Sequence, residues 1–527
     1  MNRVAGKRSF RHFACLSSTR LVSTSSIQKP KSIDDIPGAR ALPVIGSMFD
    51  ILFHKGGVPE GRLHVPQKRV RTYGKIYREK IGSLQTTIYL ADPADAETVL
   101  RSELSYPRRF EDDGIFQYVW QKYNLGPGVF FLDGAEWYKH RSVLSKRMLV
   151  PRSIGQLTPE LNRISSEFTE RLKALRVPQG CDKSYEVVDI NNELFKWSFE
   201  SVLFAIFEKR FGSIVNNPDP KVLEFIQSTV GFLDAIFPTA YLPPKFYDYY
   251  ETKAFKKFSS SYVKMYELAQ LFIVQRLREI KNNEEISSKD DNSEVNLLQY
   301  LLLKGKLTEK DLLGSIIDLM FAGVDTTSNT MQWILYELAK NPDKQALVYD
   351  QITSVLPRHS EVTNSDLQKL PYVKAVVKET LRLHPVLIEI PRKLQKDLVL
   401  SNYSVPAGSN VAILLCVMGR DPDLFDEAEC FIPERWLRAN DDERWLRAND
   451  DDTFHKFSST PFGFGRRMCL GRRLAELEMY LLLVHVILNF HLEYPENKIM
   501  EATSRATLIP KEPVRVKFID RNNLPPT

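Results

Sequence analysis

Residues Phe462-Gly-Phe-Gly-Arg-Arg-Met-Cys469-Leu-Gly471 decide how the rest of the chain is read. They fit the pattern F-x-x-G-x-R-x-C-x-G, with Phe462, Gly465, Arg467, Cys469 and Gly471 on its five fixed positions. Each position answers a chemical need. Glycines on both sides of a cysteine let the backbone come close and aim amide N–H groups at the sulfur, which tunes its potential. An aromatic ring can cover a thiolate, and a guanidinium can pair with a carboxylate in forked geometry. A buried structural cysteine in a glycine-rich turn would explain Cys469 alone, but it leaves the other four positions without a reason. The cysteine therefore reads as a metal-ligating thiolate.

A thiolate on haem iron pushes electron density onto the metal and favours O–O cleavage, so the sulfur must be deprotonated and rigidly held. The loop is the haem-thiolate signature, and on it the chain resembles the cytochrome P450 family over nearly its whole length. The resemblance implies a mainly α fold with small β-sheets. Haem b (iron protoporphyrin IX) would be buried between a long central helix and the Cys469 loop, in a monooxygenase dependent on O2 and reduced ferredoxin. Phe462 would then cover the thiolate and Arg467 would pair with a haem propionate.

The bulk properties agree. At 527 residues the chain exceeds a typical domain, yet single folds of this size exist, and 43% hydrophobic with 26% charged residues supplies a large core. Five scattered cysteines (Cys15, Cys181, Cys416, Cys430, Cys469) with no C-x-x-C argue against a disulfide framework or zinc site and for a reducing compartment. A net charge of +6 is modest for this length and does not suggest a nucleic-acid partner. Residues 1–33 carry seven basic residues (Arg3, Lys7, Arg8, Arg11, Arg20, Lys29, Lys31) and seven serines, with no acid before Asp34. That is the composition of an organelle transit peptide. No run of about 18 apolar residues occurs there, so no membrane anchor is expected. Presequence and haem-thiolate loop together point to the mitochondrial branch: transit peptide 1–33, monooxygenase domain 34–527, peripheral at the matrix face of the inner membrane.

Along the chain, Ile36-Pro-Gly-Ala-Arg-Ala-Leu-Pro43-Val-Ile-Gly46 is a punctuated entry segment. Gln85–Leu90 alternates as a strand, and a helix is predicted from Pro93. Helical periodicity dominates from about 135 to 390, broken by the polar stretch Lys281–Glu294, which reads as an exposed loop. Short strands are predicted around 392–415 and at Val514–Phe518. Glu434-Arg-Trp-Leu-Arg-Ala-Asn-Asp-Asp442 is followed at once by an identical copy, Glu443 to Asp451. Two nine-residue copies make no repeat array. A short duplication or an assembly error explains them, the second copy bulging into solvent.

Thr308-Glu-Lys-Asp311 resembles a capping box opening a helix that runs to Asn341-Pro342. Its centre reads Ala322-Gly323-Val-Asp325-Thr326-Thr327. Glycine inside a helix costs about 1 kcal/mol relative to alanine. Either a local widening that makes room for O2 and water, or a packing notch against another helix, would explain Gly323. Thr326 is placed to hydrogen-bond the oxygen substrate and Asp325 to relay protons. The family resemblance implies more: a structural cluster of Glu379, Arg382 and Arg435, with Trp137, Arg141 and Arg392 at the propionates. His140 reads as a bystander.

Lys374 and Lys378 lie four apart on one predicted helix, and Arg472 and Arg473 follow the Cys469 loop. In mitochondrial family members such a basic surface docks an acidic iron–sulfur ferredoxin, itself reduced by an NADPH-dependent ferredoxin reductase; a solvated charged face is the alternative. The pocket is expected to draw on the segment from about Phe110 to Phe116, on Phe321, on Leu387, Ile388 and Ile390, and on Leu508. These are apolar, suiting a sterol-sized ligand. Residues 232–250, aromatic and Pro-rich, read either as a segment that dips into a membrane face and admits such ligands or as a simple aromatic-rich turn. Finally, Tyr73–Gly82, Gly128–Trp137 and Gly419–Asp423 look most like the arthropod ecdysteroid 2-hydroxylases of moulting-hormone biosynthesis, which implies conversion of 2-deoxyecdysone to ecdysone. Rival readings are another sterol or a xenobiotic substrate, a haem-thiolate isomerase, and a non-catalytic haem- or steroid-binding protein.

Overall fold

The structure, a computed structural model, describes residues 29–41, 46–47, 64–80, 85–109, 114–178, 180, 184–282, 297–304, 307–356, 361–437, 454–495 and 498–521. Most of the transit peptide expected at residues 1–33, Phe110, most of the polar loop expected at Lys281–Glu294 and the second copy of the duplication lie outside the described residues.

A helix of 32 residues, α5 (Glu309–Lys340), organises the molecule. Thr308 caps it: its hydroxyl accepts the Asp311 N–H at 3.1 Å, and the Asp311 carboxylate accepts the Thr308 N–H at 3.3 Å. Asn341 and Pro342 end it, because proline cannot continue the hydrogen-bond ladder. At ~1.5 Å per residue the helix spans about 48 Å. Two apolar cores form along it. The half from Met331 to Ala339 packs into one with α6 (Pro371–Leu383) and α7 (Arg472–Asn489). The half from Leu312 to Val324 packs into the other with α1 (Gly134–Met148), α2 (Ile190–Phe207), α3 (Pro220–Ala240) and α4 (Lys253–Asn282). The segment Ala322–Thr327 falls where the two cores meet.

The sheets are small. Strands β1 (Ile76–Glu79), β2 (Thr87–Leu90), β3 (Ile390–Lys393) and β4 (Asn410–Ile413) form one sheet in the order β1-β2-β4-β3. Ile76 pairs with Leu90 and Ile390 with Ile413 in antiparallel register, whereas Thr87 and Asn410 are parallel. Tyr403–Val405 lies between Lys31–Ser32 and Leu398–Leu400 in a second sheet. Two hairpin-like pairs close the chain, β5 (Phe490–Glu493) with β8 (Lys517–Asp520) and β6 (Ala502–Ser504) with β7 (Leu508–Pro510). The last strand begins at Lys517, not at Val514; Val514 and Val516 fill the core just ahead of it. Pro93–Arg101 is helical as its Asp92-Pro93 start predicts, Asp92 accepting the Ala94 N–H at 2.8 Å. The architecture is mainly helical with small sheets, as expected.

Candidate active site

The glycines of the Cys469 loop are conformational requirements. Gly463 and Gly465 sit at φ +70° and +74°, and a Cβ at Gly465 would lie 2.9 Å from a carboxylate oxygen of Glu103. The loop closes on itself, the Cys469 N–H donating to the Phe462 carbonyl at 2.8 Å. The Cys469 thiol faces a cavity of about 1880 Å³ shared with Phe462, Ala322 and Thr326. Desolvation pushes this thiol up, against the Gly471 N–H and the positive charges of Arg141 and Arg109. A metal cation would complete the deprotonation, as coordination of a thiol does.

Trp137 and Arg141, four apart on α1, share a buried face and line the same cavity. Ile390 and Arg392, two apart on β3, do likewise. Four guanidinium groups, of Arg109, Arg141, Arg392 and Arg467, gather at this end, and the carboxylates that pair with them among the described residues are Asp133 and Glu103. Burial together with like charge lowers Arg109 well below its usual value and brings Arg467 down to about 9. Arg109 Nε and Arg392 Nη2 are buried without a hydrogen-bond partner. Arg141 donates no side-chain hydrogen bond to a described residue. A buried cluster so short of negative charge fits a dianionic group such as the two propionates of haem. The arginines, the thiol and the apolar cavity between them together fit haem b.

Arg467 lines the cavity and is held by the protein around it. Its Nε donates to the Pro107 carbonyl at 2.9 Å, Nη1 to the Leu132 carbonyl at 2.9 Å and Nη2 to Asp133, while its plane stacks on Trp137 at 4.1 Å. One bond reaches the Asp133 carboxylate and two reach backbone carbonyls, so Arg467 braces the wall that it lines. The donor that sequence reasoning missed is Arg109, whose Nη2 donates to the Arg467 carbonyl at 2.6 Å. Nothing local in Pro107-Arg-Arg109 marks it, since its partners lie across the chain. His140 bonds Ser315 Oγ at 2.7 Å, is held neutral by burial (pushed down to about 4), and stays out of the cavity wall.

Over the cavity, α5 runs through Gly323 without interruption, so no helix widening is present. The packing notch accounts for the glycine: a Cβ would meet Val202 Cγ2 of α2 at 2.9 Å. Thr326 lines the cavity, its hydroxyl donating to the Ala322 carbonyl at 2.7 Å. The Asp325 carboxylate accepts from Arg505 Nη2 at 3.0 Å and Thr507 Oγ1 at 2.6 Å. Burial raises its pKa, and those partners pull against that. Arg505 also reaches Asp234, 3.5 Å away and about one-third exposed.

Glu379, fully buried, is saturated. Oε1 accepts from Arg382 Nη2 at 2.6 Å, Arg435 Nε at 3.0 Å and the Ile432 N–H at 2.9 Å; Oε2 accepts from Arg382 Nε and Trp436 Nε1, both at 2.8 Å. Arg382 further donates to the Gly419, Ala428 and Cys430 carbonyls. The three residues grouped from sequence meet, and Trp436 joins them. Removing one partner of such a cluster costs about 3–5 kcal/mol.

Phe321, Leu387, Ile388 and Ile390 line the cavity. Leu508 does not. Thr507, in the bend just ahead of β7, meets the cavity, while Leu508, the first residue of the strand, is sealed in the core. On the proximal surface Lys378 is exposed and Lys374 half-buried on α6. Arg472 pairs with Glu476 at 3.0 Å, and Arg473, exposed, donates to the Leu149 carbonyl at 2.9 Å.

A helix-spanned apolar cavity with one cysteine at its floor and an arginine-rich rim defines a haem-thiolate protein. The chain belongs to the cytochrome P450 family, whose profile matches residues 36–518. It is a monooxygenase with haem b as cofactor. It is 34% identical to "Cytochrome P450 10" of Lymnaea stagnalis over 505 residues, 96% of this chain and 89% of that protein. It is 29% identical to the mitochondrial 1,25-dihydroxyvitamin D(3) 24-hydroxylase of Rattus norvegicus, covering 93% and 90% of the two chains. The mitochondrial cholesterol side-chain cleavage enzyme of Capra hircus is 32% identical, with 86% and 84% covered.

Proposed function

We propose that this cytochrome P450 is a mitochondrial steroid hydroxylase whose reaction is ecdysteroid 2-hydroxylation, 2-deoxyecdysone to ecdysone. The observation that carries the steroid reading is the cavity, about 1880 Å³ and walled by Phe116, Phe232, Phe321 and Ile388. Such a wall selects a large lipophilic ligand. Two relatives act, by their names, on a vitamin D sterol and on cholesterol, and both are mitochondrial. The basic, Ser-rich, acid-free segment 1–33 supports the same compartment. The ecdysteroid assignment rests on Tyr73–Gly82, Gly128–Trp137 and Gly419–Asp423.

When bound through Cys469, haem b supplies the O2-activating chemistry. Arg109, Arg141 and Arg392 would hold its carboxylates. Thr326, its hydroxyl hydrogen committed to Ala322, turns oxygen lone pairs to the cavity. Asp325 is the acid beside it, linked through Arg505 towards the surface at Asp234. Electrons come from an iron–sulfur ferredoxin, supplied by its NADPH-dependent reductase and docked against Lys374, Lys378 and Arg473. Arg472, paired with Glu476, contributes less. Exposed Phe246, Tyr249 and Tyr250 lie next in the chain to Leu242 and Pro243 of the cavity wall and suit shallow contact with the matrix face of the inner membrane. Among the described residues no helix is long and apolar enough to cross a membrane.

The test is turnover of 2-deoxyecdysone by the purified chain lacking residues 1–28, which keeps the Lys31–Ser32 strand, with ferredoxin, its reductase and NADPH, read by mass spectrometry. Ecdysone is the expected product. Hydroxylation of other sterols but not of 2-deoxyecdysone would overturn the ecdysteroid half, and inertness towards all sterols would overturn the whole reading.

A further inference from the structure

The two carboxylates at the arginine rim are unlike. Asp133 lines the cavity and accepts the Arg109 N–H at 3.0 Å besides its bond from Arg467. Glu103 stands outside the cavity wall, behind Arg392, two residues past the helix Pro93–Arg101, with its side chain 8% exposed. Its Oε1 accepts from Arg392 Nε. Its Oε2 is buried with no hydrogen-bond partner and lies against the Cys469 loop, where a Cβ on Gly465 would come within 2.9 Å of it. Glu379 shares its charge among five donors; Glu103 meets one among the described residues. A concentrated negative charge therefore sits between a rim arginine and the loop that carries the thiolate.

We propose that Glu103 is a positioning residue for the cofactor that acts through Arg392: it holds this guanidinium at the rim, and its charge keeps the reduction potential of haem b low. The inference rests on the reading of Arg392 as a propionate partner. Arg392, on β3, is fixed at two edges, Nε by Glu103 and Nη1 by the Pro391 carbonyl at 2.9 Å. Charge balance supplies the rest of the argument. Four guanidinium groups, the carboxylates of Glu103 and Asp133, and two propionates leave the rim neutral. Without Glu103 one positive charge stays uncompensated in a water-poor site. Such a charge favours the ferrous state, which carries one electron more than the ferric state and receives it from ferredoxin. The Glu103 charge reaches Arg467 as well, opposing the desolvation that brings it down. Because the pair is buried, salt screens it little.

The test is a spectroelectrochemical titration of the purified haem-loaded chain, with the carbon-monoxide difference spectrum as the check on thiolate ligation. Glu103→Gln should shift the ferrous-to-ferric ratio at a given potential about ten-fold towards ferrous, ~59 mV for a one-electron couple. Glu103→Asp, which keeps the charge, should stay close to wild type. Arg392→Gln should move the potential the other way. Glu103→Gln combined with Arg392→Gln removes the pair as a neutral unit and should return the potential to that of wild type. An unshifted Glu103→Gln would overturn the proposal. Equal shifts in Glu103→Gln and Glu103→Asp would overturn it too and leave only a structural brace. Should Glu103→Gln fail to hold haem, a double variant that keeps the shift of Arg392→Gln would overturn it. A wild-type potential in haem-loaded Arg392→Gln would instead overturn the placement of Arg392 at the propionates.

Discussion

Both residues of the Asp325-Thr326 pair line the cavity; the Thr326 hydroxyl donates to the Ala322 carbonyl, while the Asp325 carboxylate is buried against Arg505 and Thr507. Thr326→Ala should therefore leave haem content and sterol binding intact, lower product formation on the order of 10²-fold, and allow NADPH consumption to continue. Parallel measurement of NADPH and product checks this; product and NADPH falling together would refute it. Asp318 makes a stability prediction. Its folded pKa, about 8, lies above the usual carboxylate value, so the folded state keeps a proton that the unfolded chain loses. Its stabilising contribution is full below about pH 4 and is lost progressively as pH rises to about 8. Thermal melts of Asp318→Asn and wild type should coincide near pH 4, with the variant ahead at pH 8 by on the order of a few kcal/mol. At this scale the sequence was legible wherever spacing alone carried meaning, as at Cys469 and in Glu379-x-x-Arg382. It was silent where the partner is distant. Arg505 and Thr507 lie about 180 residues beyond Asp325, and Arg109 meets Arg467 across 358 residues.

The elements were readable where the chain carries its own punctuation. Thr308, Asp311 and Pro342 bound α5 by local chemistry, which is why both its ends are where the sequence placed them. Packing is a different matter. Gly323 admits two explanations from sequence, and Val202 on another helix decides between them. Gly323→Ala should gain about 1 kcal/mol of helix propensity and lose about 1–3 kcal/mol to overpacking against a stiff β-branched side chain. Denaturant unfolding should show net destabilisation, rescued when Val202→Ala is added; additive losses in the double variant would refute the notch. Leu508 was expected in the pocket and lies in the core for the same reason: packing, not local sequence, decides that Thr507 and not its neighbour meets the cavity. On α6, exposed Lys378 and half-buried Lys374 should act as a unit towards ferredoxin. Reversing both to Glu should raise the ferredoxin KM about ten-fold at low salt, less so at high salt, with the haem spectrum unchanged. A salt-independent effect would argue for misfolding instead.

At the scale of the whole molecule, two apolar cores share α5, and the cavity opens where they meet, between Thr326 above and Cys469 below. This arrangement gives one ligand access to a thiolate floor, an arginine rim and an apolar roof at once. Its most direct test is the carbon-monoxide difference spectrum of the purified haem-loaded chain, reduced by ferredoxin with its reductase and NADPH, beside a Cys469→His variant. The account predicts the long-wavelength Soret band of a thiolate-ligated ferrous haem in wild type, formed at a rate that depends on ferredoxin, and its loss in the variant. A short-wavelength band in folded wild type, or a long-wavelength band that survives Cys469→His, would contradict it.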